Sequence, residues 1–132
     1  MAQNPWKINS RGQIVGGYVD TVGRSHVFLL SKEDFTTIDF PGAVDTAPGL
    51  DNGGINSHRD IAAYYCDDVP CVNWHGFLLR DGKLTSFDFP GAIQTFSFGI
   101  NSSQDIVGGY TDASNHTHGF LMHWEGETDF TR

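Results

Sequence analysis

Three aspartates, each followed by a short polar loop and a histidine, are the most regular chemical feature of the sequence. The pairs are Asp20 with His26, Asp67 with His75, and Asp112 with His118. An aspartate that orients a histidine is the arrangement of a general base, and also of a metal ligand with its supporting hydrogen bond. A pair that occurs three times is also what a repeated structural element would contain, and this recurrence favours a structural role.

Further metal-ligand side chains lie beside two of these pairs. His116 precedes His118 by two residues, and Asp68 follows Asp67. Alternate residues of a strand point to the same side, so His116 and His118 are placed to share an ion such as zinc. The candidate metal ligands are His26, His75, His116, His118, Asp20, Asp67, Asp68 and Asp112. Zinc or calcium would be the ion, and the sequence specifies neither.

A second group of polar side chains follows three Ile-Asn-Ser motifs and differs among them. The residues are Arg11 in the first, His58 and Arg59 in the second, and Ser103 and Gln104 in the third. Such differences are what a specific site built on a repeated scaffold would show. The neighbouring asparagines, Asn56 among them, can bind calcium or a sugar, although bonding to their own turn is the favoured role. The candidate ligand-binding residues are Arg11, Asn56, His58, Arg59 and Trp74, whose ring could stack on a sugar.

These side chains recur because the sequence itself recurs. The motifs Ile8-Asn9-Ser10, Ile55-Asn56-Ser57 and Ile100-Asn101-Ser102 begin three copies, 47 and 45 residues apart. Each copy continues with an Ile-x-x-x-Tyr block and a His-x-Phe-Leu block, and two copies then have Asp-Phe-Pro-Gly-Ala. Short apolar blocks bounded by glycine and proline turns are typical of strands. Four such strands with a period of about 45 residues are typical of propeller blades.

The predicted fold is therefore all-β, with three four-stranded propeller blades, A to D in strand order, in one structural unit. The blades are expected at residues 1–45, 46–92 and 93–132. Closed propellers have about four to eight blades, so three leave an exposed apolar face at each end. We expect a homodimer to complete a six-bladed ring, and a segment of a longer array is the alternative. Asp39 and Asp88, which precede Phe-Pro-Gly, are expected to cap that turn.

The repeated blocks resemble a known family. Ile-Asn-x-x-x-Gln/Asp-Ile-Val-Gly-Gly-Tyr, His-Val/Gly-Phe-Leu-Leu and Asp-Phe-Pro-Gly-Ala are similar to the HAF-type bacterial extracellular repeat, whose His-Ala-Phe core reads His-Val-Phe or His-Gly-Phe here. The resemblance covers essentially the whole chain. It implies propeller-like blades and an extracellular or periplasmic location, but no particular activity. Since the first residues contain no apolar signal segment, a cytoplasmic location is the alternative.

Composition excludes several classes of partner. The net charge is −8, and the eight lysines and arginines are scattered singly, which argues against nucleic acid and against an anionic membrane surface. No apolar run is long enough to span a bilayer. Cys66 and Cys71 form either a disulfide or two free thiols, and their spacing alone is not that of a zinc knuckle.

Two classes of function agree with these features. The first is an oligomeric propeller that binds a small molecule or sugar at its channel or rim. The alternative is a metal-dependent hydrolase of an ester, lactone or phosphoester, in which histidine and aspartate ligands hold the ion that activates water. A purely structural assembly is the third.

Overall fold

The computed structural model describes residues 3–47, 54–124 and 128–131 of the 132-residue chain. These residues form strands and turns, and none of them lies in a helix that could span a bilayer. The all-β prediction is confirmed, since the described strands form three small antiparallel sheets.

Each sheet contains one set of the repeated motifs, and its first strand lies before or ends at the Ile-Asn-Ser motif. The first contains β1 (Gln3–Ile8), β2 (Ile14–Val19), β3 (Ser25–Ser31) and β4 (Asp34–Ile38). The second contains β5 (Asp45–Ala47), β6 (Gly54–Ile55), β7 (Ile61–Cys66), β8 (Trp74–Arg80) and β9 (Lys83–Phe87). The third contains β10 (Gln94–Ile100), β11 (Asp105–Thr111), β12 (Thr117–Trp124) and β13 (Thr128–Thr131). The strands of each sheet are paired in chain order, and β5 and β6 together take the first place in the second sheet.

The second sheet is packed on both faces. Ile61, Ala63 and Phe77 belong to a cluster with residues of the first sheet, whereas Ala62 and Leu78 belong to a cluster with the third. Every residue of β7 is buried as a result. This alternation follows from strand geometry, because successive side chains point to opposite faces.

Glycine allows aromatic rings to lie close to the strands. A Cβ atom on Gly108 would contact the backbone oxygen of Phe96, and would come within 2.7 Å of the Phe120 ring. A Cβ atom on Gly16 would likewise contact the backbone oxygen of Asn4 and the ring of Phe28. The absent side chain is therefore a packing requirement at these positions.

The connections between sheets carry a stacked aromatic pair. Phe40 stacks on Tyr65 with ring centroids 4.1 Å apart, and Phe89 stacks on Tyr110 at 3.8 Å. Each phenylalanine begins a Phe-Pro-Gly-Ala turn in which the alanine N–H donates to the phenylalanine carbonyl at 3.0 Å. The turn glycines, Gly42 among them, have φ near +80°, as a type II turn requires.

The outer faces of the two end sheets carry the residue types that are buried between sheets. Ile8 is 61% exposed on the first sheet, whereas its counterpart Ile55 is 4% exposed. Leu121 is 41% exposed on the third sheet, whereas its counterpart Leu78 is 2% exposed. The end faces are thus apolar surfaces of the same kind as the internal ones.

Candidate functional site

The turns that connect the first two strands of each sheet are organised by asparagine. Asn56 Oδ1 accepts hydrogen bonds from the N–H groups of His58 and Asp60 at 3.0 and 2.9 Å. Asn9 and Asn101 make the same two bonds in their own turns. Asparagine is suited to this role because its short side chain bonds its own backbone. These bonds agree with the structural role that the sequence favours for the asparagines.

The same asparagines connect the three sheets. Asn9 Nδ2 donates to the backbone oxygen of Asn56 at 2.9 Å, and Asn56 Nδ2 donates to that of Asn101 at 2.9 Å. We call this series the asparagine ladder. It brings the three turns together at one edge of the molecule, although they are 47 and 45 residues apart in sequence.

A polar pocket of about 320 Å³ lies where these turns meet, and we call it the turn pocket. Its lining residues are Arg11, His58, Asp60, Arg80, Asp81 and Gln104. Each of the three copies contributes at least one side chain, so no single repeat could form it. The structure thus places Arg11 and His58 in one site, together with the variable Gln104 of the third turn.

In two of these asparagine turns, a residue with a side chain adopts a backbone conformation that glycine adopts more readily. Gly12 has φ +75° in the first turn, and the equivalent residues Arg59 and Gln104 both have φ +67°. The left-handed conformation costs a residue with a side chain about 1 kcal/mol. Such residues are concentrated at functional sites, which makes these side chains functional candidates.

In each sheet, a side chain at the start of the second strand lies close to a side chain at the end of the third strand. The residue types of this pair differ from sheet to sheet. Gln13 bonds Ser31 in the first sheet. In the second, Asp60 is buried and lies 4.0 Å from Arg80, which also donates to Gln104 Oε1 at 2.9 Å. Arg80 is therefore held in place on the wall of the turn pocket.

The third sheet has an aspartate and a histidine at the same two positions. Asp105 Oδ1 lies 2.6 Å from His123 Nδ1. The hydrogen bond from His123, helped by that from Asn101, lowers the pKa of the Asp105 carboxyl.

Basic side chains are concentrated near the turn pocket. Arg59 and His58 line an adjoining pocket, and Arg80 and Lys83 line another. Together with Arg11, four of the eight lysines and arginines lie here, in a chain of net charge −8. This edge therefore combines cationic side chains with the carboxylates of Asp60 and Asp81.

The Asp–His pairs lie at the opposite edge of the sheets, where the second strand ends and the third begins. His26 Nε2 lies 2.8 Å from Asp20 Oδ2, and its Nδ1 lies 2.7 Å from Asp39 Oδ1. His75 lies between Asp67, at 3.4 Å, and Asp88, at 2.7 Å. The sequence predicts a turn cap for Asp39 and Asp88, and this is corrected here, because both side chains bond a histidine instead.

These contacts change the acidity of the first pair. The hydrogen bond from His26, with further bonds from the N–H groups of Arg24 and Val22, lowers the pKa of Asp20 to about 2. Burial acts to lower the pKa of His26, but the hydrogen bonds to Asp20 and Asp39 outweigh it and the pKa is raised. The two carboxylates thus favour the charged form of His26 more than water does.

The third pair includes both histidines of the His-x-His motif. His118 Nε2 lies 2.8 Å from Asp112 Oδ2, and His116 Nδ1 lies 3.9 Å from the same oxygen. The hydrogen bond from His118, followed by that from the His116 N–H, lowers the pKa of Asp112 to about 2. His116 lies in the turn before β12 and not in the strand. His116 and His118 therefore do not share one face of a strand, although the sequence predicts that they do.

The predicted metal ligands do not converge on one point in the part of the chain that the structure describes. There, a single group of three His, Cys, Asp or Glu side chains has its ligand atoms within 4.8 Å of one another, and it consists of Asp45, Cys66 and Cys71. The remaining candidate, Asp68, accepts hydrogen bonds from Val72 and Asn73 within its loop. A metal site on the histidines stays a prediction.

Trp74 lies away from the turn pocket. It pairs with Cys66 at the end of β7 that is opposite the asparagine ladder. Its ring packs edge-on against Tyr64 at 5.2 Å and near Phe96 at 6.3 Å. The structure therefore separates Trp74 from the other predicted ligand-binding residues and gives it packing contacts.

Sequence reasoning missed three residues of the turn pocket: Asp60, Arg80 and Asp81. A usable signal existed for Asp60 and Arg80, because both lie where the copies differ. It also missed the second carboxylate at His26 and at His75, although Asp39 and Asp88 both follow their histidine by thirteen residues.

Comparison of the chain with protein-family models, with curated proteins and with solved structures finds no match.

Proposed function

We propose that this protein is a binding module that takes a small polar molecule with an acidic group, such as a sugar acid, in the turn pocket. The observation that carries the proposal is that the three copies, which share their strand motifs, place different polar side chains around one pocket. A site of this kind belongs to the assembled scaffold and not to any single repeat.

The chemistry of the lining residues supports an acidic ligand. Arg80 is positioned by Gln104 and Asp60, which leaves part of its donor fork for a ligand. Within the described part of the chain, the side chains of Arg11 and His58 make no hydrogen bond or ion pair, so their donors face the pocket unshared. Asp60 and Asp81 add acceptors for hydroxyl groups.

We further infer that the three sheets are propeller blades and that a second copy of the chain covers the end faces. The internal interfaces support this inference, because their residue types recur on the outer faces at Ile8 and Leu121. The asparagine ladder also supports it. At the third sheet the ladder ends with a donor, Asn101 Nδ2, and at the first sheet it ends with an acceptor, the backbone oxygen of Asn9. In a ring of two chains, each end of one ladder would meet the opposite end of the other.

A pair of matched sugars tests the binding site. Galacturonate and galactose differ mainly in the carboxylate, and we expect calorimetric titration to detect binding of galacturonate and much weaker binding of galactose. Loss of a hydrogen bond to a charged group costs about 1.5–3 kcal/mol, so Arg11→Gln should weaken binding by roughly tenfold or more. Arg24→Gln, at the opposite edge, is the control and should bind as the wild type does.

Three results would contradict the proposed site. The first is equal affinity for the two sugars, which would show that the carboxylate is not recognised. The second is unchanged galacturonate affinity in the double variant Arg11→Gln/His58→Gln. The third is no binding of either sugar at millimolar concentration.

A further inference from the structure

Asp45, Cys66 and Cys71 form a cluster at the edge opposite the turn pocket. Cys66 and Cys71 form a disulfide whose Cα atoms are 5.6 Å apart. The Oδ2 atom of Asp45 lies 3.3 Å from the sulfur of Cys71. Among the described residues, this is the group of three ligand-type side chains whose donor atoms lie within 4.8 Å of one another.

The contact between Asp45 and sulfur suits thiols better than a disulfide. A carboxylate accepts hydrogen bonds, and a disulfide sulfur has no proton to donate. In the oxidised form, the carboxylate oxygen and the Cys71 sulfur are thus two electron-rich atoms without an attractive partner between them. A thiol proton or a cation would supply that attraction, and thiolates with a carboxylate are ligands that zinc takes.

The surrounding structure holds these side chains in place. Asp45 pairs directly with Cys66 across β5 and β7, so two of the three ligands come from adjacent strands. The N–H of Ser25 donates to Asp45 Oδ1 at 2.7 Å, which leaves Oδ2 directed at the sulfur. A hydrogen bond of this kind orients a metal-binding carboxylate. Cys66 is fully buried and Cys71 half-buried, which gives an ion access from one side.

We propose that the reduced chain binds zinc through Asp45, Cys66 and Cys71, and that reoxidation by a small disulfide forms the Cys66–Cys71 bond and releases the ion. The small disulfide takes the two electrons of the thiolates and two protons from water, and becomes two thiols. A dithiol reductant passes two electrons and its two protons to the S–S bond, which breaks to give two thiols while the reductant closes to a cyclic disulfide. Zinc then displaces one proton from each thiol. A water molecule completes the four ligands that zinc prefers.

The test is a zinc titration of the full chain in its reduced and oxidised forms, with a competing chromophoric chelator and with the reductant removed under argon. The reduced chain should bind one zinc ion, and the oxidised chain should bind none at this site. Asp45→Asn keeps the acceptor for Ser25 and should weaken binding by about 10–100-fold. Cys71→Ser should abolish binding, and with it the thiolate-to-metal absorption band seen when cobalt replaces zinc.

His116→Gln is the matched control, because it removes a candidate ligand from another part of the same edge and should leave the affinity unchanged. The proposal is overturned if the reduced chain binds no zinc, or if Asp45→Asn binds as tightly as the wild type. It is also overturned if His116→Gln removes the ion. Loss of the strand signal in circular dichroism on reduction would overturn it as well, since the site requires paired β5 and β7.

Discussion

His26, His75 and His118 recur at one position of the repeat, and each lies within 3.4 Å of a carboxylate across the loop that precedes it. Among the described residues, His26 and His75 also bond a second carboxylate, from Asp39 and Asp88, which directly follow the last strand of their sheets. His26 and His75 each link three segments of one sheet, which is a structural role. These contacts agree with the structural role that the recurrence of the pair favours.

Stability should depend on pH through the first of these pairs. The pKa of Asp20 is about 2 in the folded chain against 3.8 for the ordinary group, so its contribution is complete above pH 3.8 and is lost as the pH falls towards 2. The pKa of His26 is raised above 6.5, so its contribution is complete below pH 6.5 and is lost as the pH rises through the folded-state value. We therefore expect the free energy of unfolding to be greatest between these limits.

The variant Asp20→Asn tests this dependence. It removes the group that titrates at about 2, so urea unfolding midpoints should fall less steeply between pH 4 and pH 2 than in the wild type. The exposed Asp34 is the control, and Asp34→Asn should leave the slope as it is. An acid limb of equal steepness in Asp20→Asn and wild type would disprove the assignment.

The turn after each first strand acts both within its sheet and between sheets. Asn56 is 4% exposed, and its side chain bonds two N–H groups, the Asp60 carboxylate and the Asn101 carbonyl. Asn101 makes the same bonds within its turn, but it is exposed to water. The middle turn should therefore contribute more to stability than the third.

Alanine substitution measures that difference. Asn56→Ala leaves several buried polar groups without partners, so we expect the free energy of unfolding to fall by about 2–4 kcal/mol. Asn101→Ala is the matched control and should cost about 1 kcal/mol, because water can replace the lost bonds. Equal losses in chemical denaturation would show that burial of the ladder does not determine its contribution.

For the molecule as a whole, the end faces should determine the state of association. Exposed apolar surface at both ends of a stack of sheets favours contact with another copy. We expect sedimentation to show a species of twice 14.5 kDa that becomes more abundant with protein concentration. Leu121→Asp should shift the equilibrium to the monomer, because it places a charge in the contact.

Val22→Asp is the control for that experiment, since Val22 is 76% exposed in a loop and outside the end faces. It should associate as the wild type does. A wild-type chain that remains at 14.5 kDa at all concentrations would refute association through these faces.

The sequence by itself determined the all-β class and the four strands of the first and third sheets, whereas the second sheet has five, because β5 and β6 divide its first place. Alternating apolar blocks and turn residues such as Pro41-Gly42 are local signals, and the same signals occur in successive copies. The contact of Asp20 with His26 was also predictable, because the two residues lie on either side of a short hairpin loop.

Only the tertiary structure decided which of the polar side chains meet. Arg11, His58 and Gln104 come together because the sheets stack, and no spacing along the chain encodes that contact. Trp74 was separated from them for the same reason, since it lies at the other end of its sheet. Local sequence signals determine the strands of each sheet. The turn pocket depends on packing between sheets, which is non-local, so the local signals do not predict it.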